Sequence, residues 1–256
     1  MGKEEKDTIT VYWSPGQFTN SEPYSWNQFY SEPTLVSEPI LEQRQKDPTN
    51  RVIFGCPAYV EGLKNVYEVR SVHSEDVTFP HDLWKNLPTD YPQAIPTNSK
   101  LGFQLVRLSS IEGHVDLTYN MSWLFFADEP IEARFTAPYF PPKSPAKNGL
   151  LAIGTFNIGM WFRQFNLDYM VPQGSNRFVI EDNDPLFYVQ FLTTKKIVFK
   201  RFVHTDALQK LAEEFAQTSN RRHKKMGVTF TSRYALSKKT KLPELVLSEI
   251  KKNLVE

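Results

Sequence analysis

The centre of the chain alternates strictly between apolar and polar residues. From Val115 the odd positions are Val115, Leu117, Tyr119, Met121, Trp123 and Phe125. The even positions begin polar, with Asp116, Thr118, Asn120 and Ser122, and turn apolar at Leu124 and Phe126. A period of two belongs to a strand with one buried face. The change at Leu124 predicts that the strand ends buried on both faces. Leu101 to Leu108 alternates in the same way and is expected to be its antiparallel partner, with the turn at 109–113. Thr8 to Trp13 is β-branched and aromatic, and Ser14-Pro15-Gly16 stops it, so it reads as a first strand. Arg51 to Phe54 and Asn65 to Val72 read as further strands. Residues 14–33 read as an ordered irregular loop, and 80–98, with four prolines, as another. Thr34 to Lys46 predicts a short helix that Pro39 breaks or kinks.

Two acid-rich turns lead into strands. Asp128-Glu129-Pro130 precedes Ile131 to Thr136, and Asp182-Asn183-Asp184-Pro185 precedes Leu186 to Phe191. The acids can cap free N–H groups, and proline sets φ for the turn. Lys195 to Phe202 follows Phe191 through Thr193-Thr194, which predicts a hairpin. The tail changes period. Thr205 is a plausible N-cap, and Leu208, Leu211, Ala212, Phe215 and Ala216 recur at helical spacing. A basic loop is expected over 221–241. Pro243 then opens a last helix with Leu245, Val246, Ile250 and Leu254 on one stripe. Strands come first and helices last, without βαβ alternation. The fold class is therefore α+β and β-rich: a mainly antiparallel, jelly-roll-like β-sandwich body over 1–203. Two C-terminal helices, in a basic appendage over 204–256, dock on it.

Composition narrows the class. The chain has 256 residues, 40% hydrophobic and 23% charged, which excludes a coiled coil, a collagen and a wholly disordered chain. One cysteine, Cys56, excludes an intrachain disulfide and fits a reducing compartment. No apolar run is long enough for a membrane helix, and the charged start does not read as a signal peptide. A cytoplasmic location is the expectation. Aromatic residues are abundant, with 19 Phe, 11 Tyr and 5 Trp, so aromatic contacts should dominate the core. The net charge of +1 hides a split. Residues 1–194 carry 15 Lys and Arg against 23 Asp and Glu, a net −8, and residues 195–256 carry 15 against 6, a net +9.

Several segments carry a resemblance. Phe135-Thr136-Ala137-Pro138-Tyr139-Phe140 is followed by Gly154 to Arg163, then by Asp184 to Val189 and Lys195 to Phe202. This succession resembles a family of proteins encoded by marine tailed phages, notably cyanophages, from about Trp13 to the last helix. The resemblance implies a viral protein acting inside an infected cell, and it carries no functional residue with it.

Candidate chemistry is sparse. No GxGxxG or Walker pattern occurs. His114-Val115-Asp116 is an H-x-D at a strand start, with both ligand types on one face. With His204 it could form the facial triad of an iron(II)/2-oxoglutarate oxygenase, and Arg221 or Arg222 could hold the 2-oxoglutarate carboxylate. The plainer reading is a surface histidine beside a solvated aspartate. Trp161, Arg163, Asn157 and Tyr139 combine rings with polar edges, as a sugar or nucleobase site does. Core anchors and turn glycines are the plainer reading there. Arg221, Arg222, Lys224 and Lys225 offer a surface for an anionic partner such as nucleic acid, or simply a solvated basic face. Cys56 reads as a buried inert thiol, and the adjacent acids Asp128/Glu129 and Glu181/Asp182 as caps. The function expected is binding without catalysis. A metal oxygenase and a nucleic-acid binder are the alternatives.

Overall fold

The computed structural model describes residues 7–15, 30–46, 56–78, 103–108, 111–139, 149–152, 154–172, 175, 177–220 and 230–255. The strand expected at 51–54, the loop at 80–98, most of the loop at 14–33 and the basic cluster at 221–225 lie outside them. In chain order the elements begin β1 (Thr8–Ser14), β2 (Thr34–Leu35), α1 (Ser37–Lys46), α2 (Pro57–Gly62), β3 (Val66–Arg70) and β4 (Glu75–Thr78). Then come β5 (Phe103–Leu108), β6 (His114–Ala127), β7 (Glu132–Thr136), β8 (Leu150–Leu151), β9 (Gly154–Asn157) and β10 (Phe165–Pro172). The last are β11 (Arg177–Ile180), β12 (Pro185–Phe191), β13 (Lys196–Arg201), α3 (Asp206–Asn220), α4 (Phe230–Thr240) and α5 (Leu242–Lys252). Helix α1 begins at Ser37, so Pro39 falls in its first turn, where proline is tolerated, and does not break it.

Two sheets face each other across a shared core. The first runs β13-β1-β6-β10-β8, with β5 also on β6, and the second runs β2-β3-β12-β7-β9. A small ribbon of β11 and β4 adds to the same core through Val77, Phe178 and Ile180. All pairs are antiparallel except β1 with β13. The body is an open sandwich rather than a closed barrel. The period of two sets what fills it. Ile9, Val11 and Trp13 of β1 and Val115, Leu117, Trp123, Phe125 and Ala127 of β6 point inward to Phe135, Phe187, Val189 and Phe191 of the second sheet. Phe135 lies at the middle, stacked on Phe165 at 4.0 Å and on Phe156 at 5.0 Å.

Strand β6 is long enough to serve three neighbours. Its first half pairs with β5, its second half with β1, and β10 runs along its other side. From Trp123 to Ala127 every residue is buried, as the change of pattern at Leu124 requires. Odd residues enter the inter-sheet core. Leu124 and Phe126 point outward, where they join Tyr12, Phe162 and Phe202 beneath the helices. Against them pack Leu208, Ala212 and Phe215 of α3 and Leu242, Val246 and Ile250 of α5. Thr205 caps α3 as its sequence suggests, its Oγ1 accepting from the Leu208 N–H at 3.3 Å.

Three expectations are corrected. Strands β12 and β13 form no hairpin, because they belong to different sheets. A two-residue hairpin loop wants positive φ, which β-branched Thr193-Thr194 does not favour. The linker crosses between sheets instead, and the Asn65 side chain donates to the carbonyls of Thr193 at 2.8 Å and Lys195 at 3.0 Å. The basic stretch at 221–241 is not all loop, since α4 occupies its second part. Leu245 is 53% exposed, and Leu242 takes the place expected of it on the buried stripe. The stripe then reads 242, 246, 250, a spacing of four that one helix face allows.

Removing residues 204–256 would uncover Tyr12, Leu124, Phe126, Phe162 and Phe202 together. A chain of residues 1–203 is expected to lose solubility or cooperative unfolding, measured by yield and urea denaturation. Full stability of that shorter chain would show that the helices do not support the sandwich.

Candidate binding site

The two sheets enclose a group of aromatic side chains that carry polar tips. Trp13 on β1 and Trp123 on β6 stack at 5.4 Å with 13° between their planes. Strand register explains the stack: Trp13 lies level with Phe125, so Trp123 is its diagonal neighbour on the same face. Tyr30, just before β2, meets Trp123 edge-on at 5.1 Å. Phe187 closes the far side at 6.0 Å from Trp123. Arg201, the last residue of β13, lies level with Trp13 and places its guanidinium carbon 5.2 Å from the indole centre. Its Nη1 donates to the Tyr30 carbonyl at 3.1 Å, tying the segment before β2 to the first sheet.

The hydrogen bonding of this group is incomplete. Trp13, Trp123 and Tyr30 are 2%, 1% and 4% exposed. Yet both indole N–H groups and the Tyr30 hydroxyl find no hydrogen-bond partner among the described residues. A buried donor left without an acceptor costs about 1–3 kcal/mol, and such groups are few in a folded protein. Three in one contacting set is an unusual concentration. Burial, and secondarily the negative charge of Glu75, push the Tyr30 phenol well above its ordinary value, so it stays a protonated donor. Glu75 is itself buried at the start of β4, with its Oε1 3.8 Å from His73 Nε2. Burial lowers the pKa of His73, and the nearby Asp182 opposes this only in part.

The residues singled out from sequence fall elsewhere. His114 and Asp116 lie half-buried on the outward face of β6, and His114 Nδ1 is 3.0 Å from the Glu112 carbonyl. His204 is 3% exposed, three residues beyond Arg201. Arg201 lies level with Phe125, and His114 stands at the far end of the same strand. At ~3.3 Å per residue the separation of His204 from His114 is on the order of 20 Å, far beyond the ~2 Å bonds of a shared metal. His114, Asp116 and His204 therefore do not form one site, and no three His, Cys, Asp or Glu side chains gather for a metal among the described residues. The iron(II) and 2-oxoglutarate expectation loses its ligand set.

The Tyr139, Asn157, Trp161 and Arg163 set is likewise divided. Tyr139 is 56% exposed and edge-on to Tyr188, with which it sits on the outer face of the second sheet. Trp161 is buried against Tyr234 of α4, and the Asn157 N–H donates to the Tyr234 hydroxyl at 2.7 Å. These two residues dock α4. Arg163 is exposed. Gly159 has a packing role: a Cβ there would come within 2.3 Å of the Glu129 carbonyl oxygen, so the turn at 158–160 needs glycine to reach the Asp128-Glu129-Pro130 turn.

The acidic pairs are structural. Asp128 Oδ1 accepts from the Thr10 N–H at 3.1 Å, Glu129 pairs with Lys195 at 2.9 Å, and Asp184 Oδ2 accepts from the Glu181 N–H at 2.9 Å. Cys56 is exposed, not buried, because it stands at the N-cap of the short helix α2. Arg221, Arg222, Lys224 and Lys225 lie outside the described residues. Lys238 and Lys239 on α4 are exposed.

No family model matches the chain, and no match was found among curated proteins or solved structures. Among the described residues no helix is long and apolar enough to cross a membrane.

Proposed function

We propose that this protein works by binding a small polar molecule between its two sheets, at Trp13, Tyr30 and Trp123, and carries out no chemistry on it. The observation that carries this reading is the set of three buried donors without acceptors. A ligand with acceptor oxygens would complete their hydrogen bonds, and the stacked rings and Phe187 would cover its apolar part. Arg201 holds Tyr30 in place through its carbonyl, which makes the arrangement pre-organised. The resemblance to phage-encoded proteins would put this binding in an infected cell.

Native mass spectrometry tests the reading. The folded protein, or the folded protein mixed with a panel of small polar compounds, is expected to carry an added mass that is released on unfolding. A double variant, Trp13→Phe with Trp123→Phe, keeps the rings and removes both N–H donors, and it should carry none. A folded mass equal to that of the bare chain throughout the panel would remove the proposal.

A further inference from the structure

We propose that the outer edge of β13 is a docking site for an extended acidic segment of a partner protein, which joins the first sheet there as an antiparallel strand. Strand β13 ends that sheet and has β1 on one side only. It is six residues long, against two in the edge strands β2 and β8. Two bonds fix the direction of its backbone groups. The Lys196 N–H donates to the Asp7 carbonyl at 2.9 Å, and the Phe202 N–H donates to the Trp13 carbonyl at 3.1 Å. Even-numbered residues of β13 therefore turn their N–H and C=O groups toward β1, and odd-numbered ones turn theirs away. At one end these outward groups are in use. The Arg201 carbonyl accepts from the Val255 N–H at 2.9 Å, and the Val203 N–H donates to the Asn253 carbonyl at 2.8 Å. Residues 253–255 thus run antiparallel beside 201–203, bridged at Phe202 and Leu254. The edge accepts a strand there. Further along it, the outward backbone groups of Ile197 and Phe199 have no such neighbour among the described residues.

The side chains between those groups choose the partner. Lys196, Val198 and Lys200 point away from the inter-sheet core, and all three are exposed. Against an added antiparallel strand they take the positions without mutual hydrogen bonds, where opposing side chains come closest. Neither lysine forms an ion pair among the described residues. Lysines on an edge commonly guard against pairing with a second copy. They do so here, because two copies of β13 paired about Val198 would set Lys196 of each against Lys200 of the other. The same spacing favours a segment with carboxylates four residues apart and an apolar residue midway. Main-chain bonds to Ile197 and Phe199 would hold such a segment, and the lysines would select it.

The test uses the whole chain and two fluorescent, end-blocked hexapeptides. One has glutamate at its first and fifth positions, valine at its third and threonine elsewhere, and the other has lysine in place of glutamate. Fluorescence anisotropy should show saturable binding of the acidic peptide and none of the basic one. Lys196→Glu combined with Lys200→Glu should weaken the acidic peptide by about tenfold or more and should now bind the basic one. That reversal also shows that the variant is folded. Hydrogen exchange on the wild type should slow at the Ile197 and Phe199 amides when the acidic peptide is bound. The proposal is overturned if the acidic peptide does not bind, if the charge reversal leaves its affinity unchanged, or if it binds without protecting those two amides. A wild-type chain that dimerises with Ile197 and Phe199 protected would give the edge to a second copy and would equally overturn it.

Discussion

Replacing Phe135 with alanine is expected to cost the fold about 3–5 kcal/mol, the range for deleting a large core aromatic. Phe135 is fully buried and its ring meets Phe125 and Phe165 of one sheet and Phe156 and Phe187 of the other. Its loss leaves a cavity at the middle of the sandwich, where rings from both sheets interlock and cannot close over it easily. The urea midpoint of Phe135→Ala should fall steeply while the slope of the transition stays the same. An unmoved midpoint would mean that the sheets do not pack through this residue. Trp123→Ala belongs to the same class, since Trp123 is 1% exposed and stacks on Trp13 and Phe125.

Acid should weaken the protein through His204. Burial pushes its pKa down from 6.5 to about 4, and Asp206 opposes this only partly. The unfolded chain binds a proton at this position below 6.5, whereas the folded chain resists it until about 4. Stability therefore rises with pH across that window and falls as the pH is lowered. At full extent the contribution is roughly 3 kcal/mol, present above pH 6.5 and lost as the pH falls toward 4. Urea midpoints of the wild type and of His204→Gln, compared at pH 7 and pH 4.5, isolate this contribution. The variant should lose less stability between the two pH values. Equal losses would show that His204 accepts its proton in the folded state as readily as in the unfolded one.

The strands and the helical tail were legible because local pattern decides them. Alternation from Val115 located β6, and Leu117 and Trp123 do share the inner core. The side chains of Tyr119 and Met121, on the same predicted face, lie outside the described residues. What alternation cannot encode is which strands meet. The parallel pair of Thr8–Ser14 with Lys196–Arg201 joins the two ends of the sandwich-forming chain, and nothing in either segment names the other. Nearness in sequence predicts a hairpin at Thr193-Thr194, but the linker crosses to the other sheet, held by the Asn65 side chain.

The candidate site was less legible still. Trp123 was visible as an inward residue of its strand, and Trp13 only as the end of another. Their meeting depends on the register of β1 against β6, and Tyr30 comes from a stretch without periodicity. Trp161 looked more like a binding residue because Asn157 and Arg163 flank its aromatic segment. In the fold Asn157 serves Tyr234 and the turn at Gly159, and Trp161 itself packs on Tyr234. One signal was available: two tryptophans on core faces bring N–H donors into a place where partners are scarce.

The central claim is that Trp13, Tyr30 and Trp123 enclose a ligand. A high-resolution crystal structure of the protein grown with the panel of small polar compounds tests it most directly. The expected result is a bound molecule whose acceptor atoms lie within about 3.2 Å of at least two of the three donors, Trp13 Nε1, Trp123 Nε1 and Tyr30 Oη. Three donors satisfied by the protein's own groups or by water alone, with no bound molecule between the sheets, would contradict it.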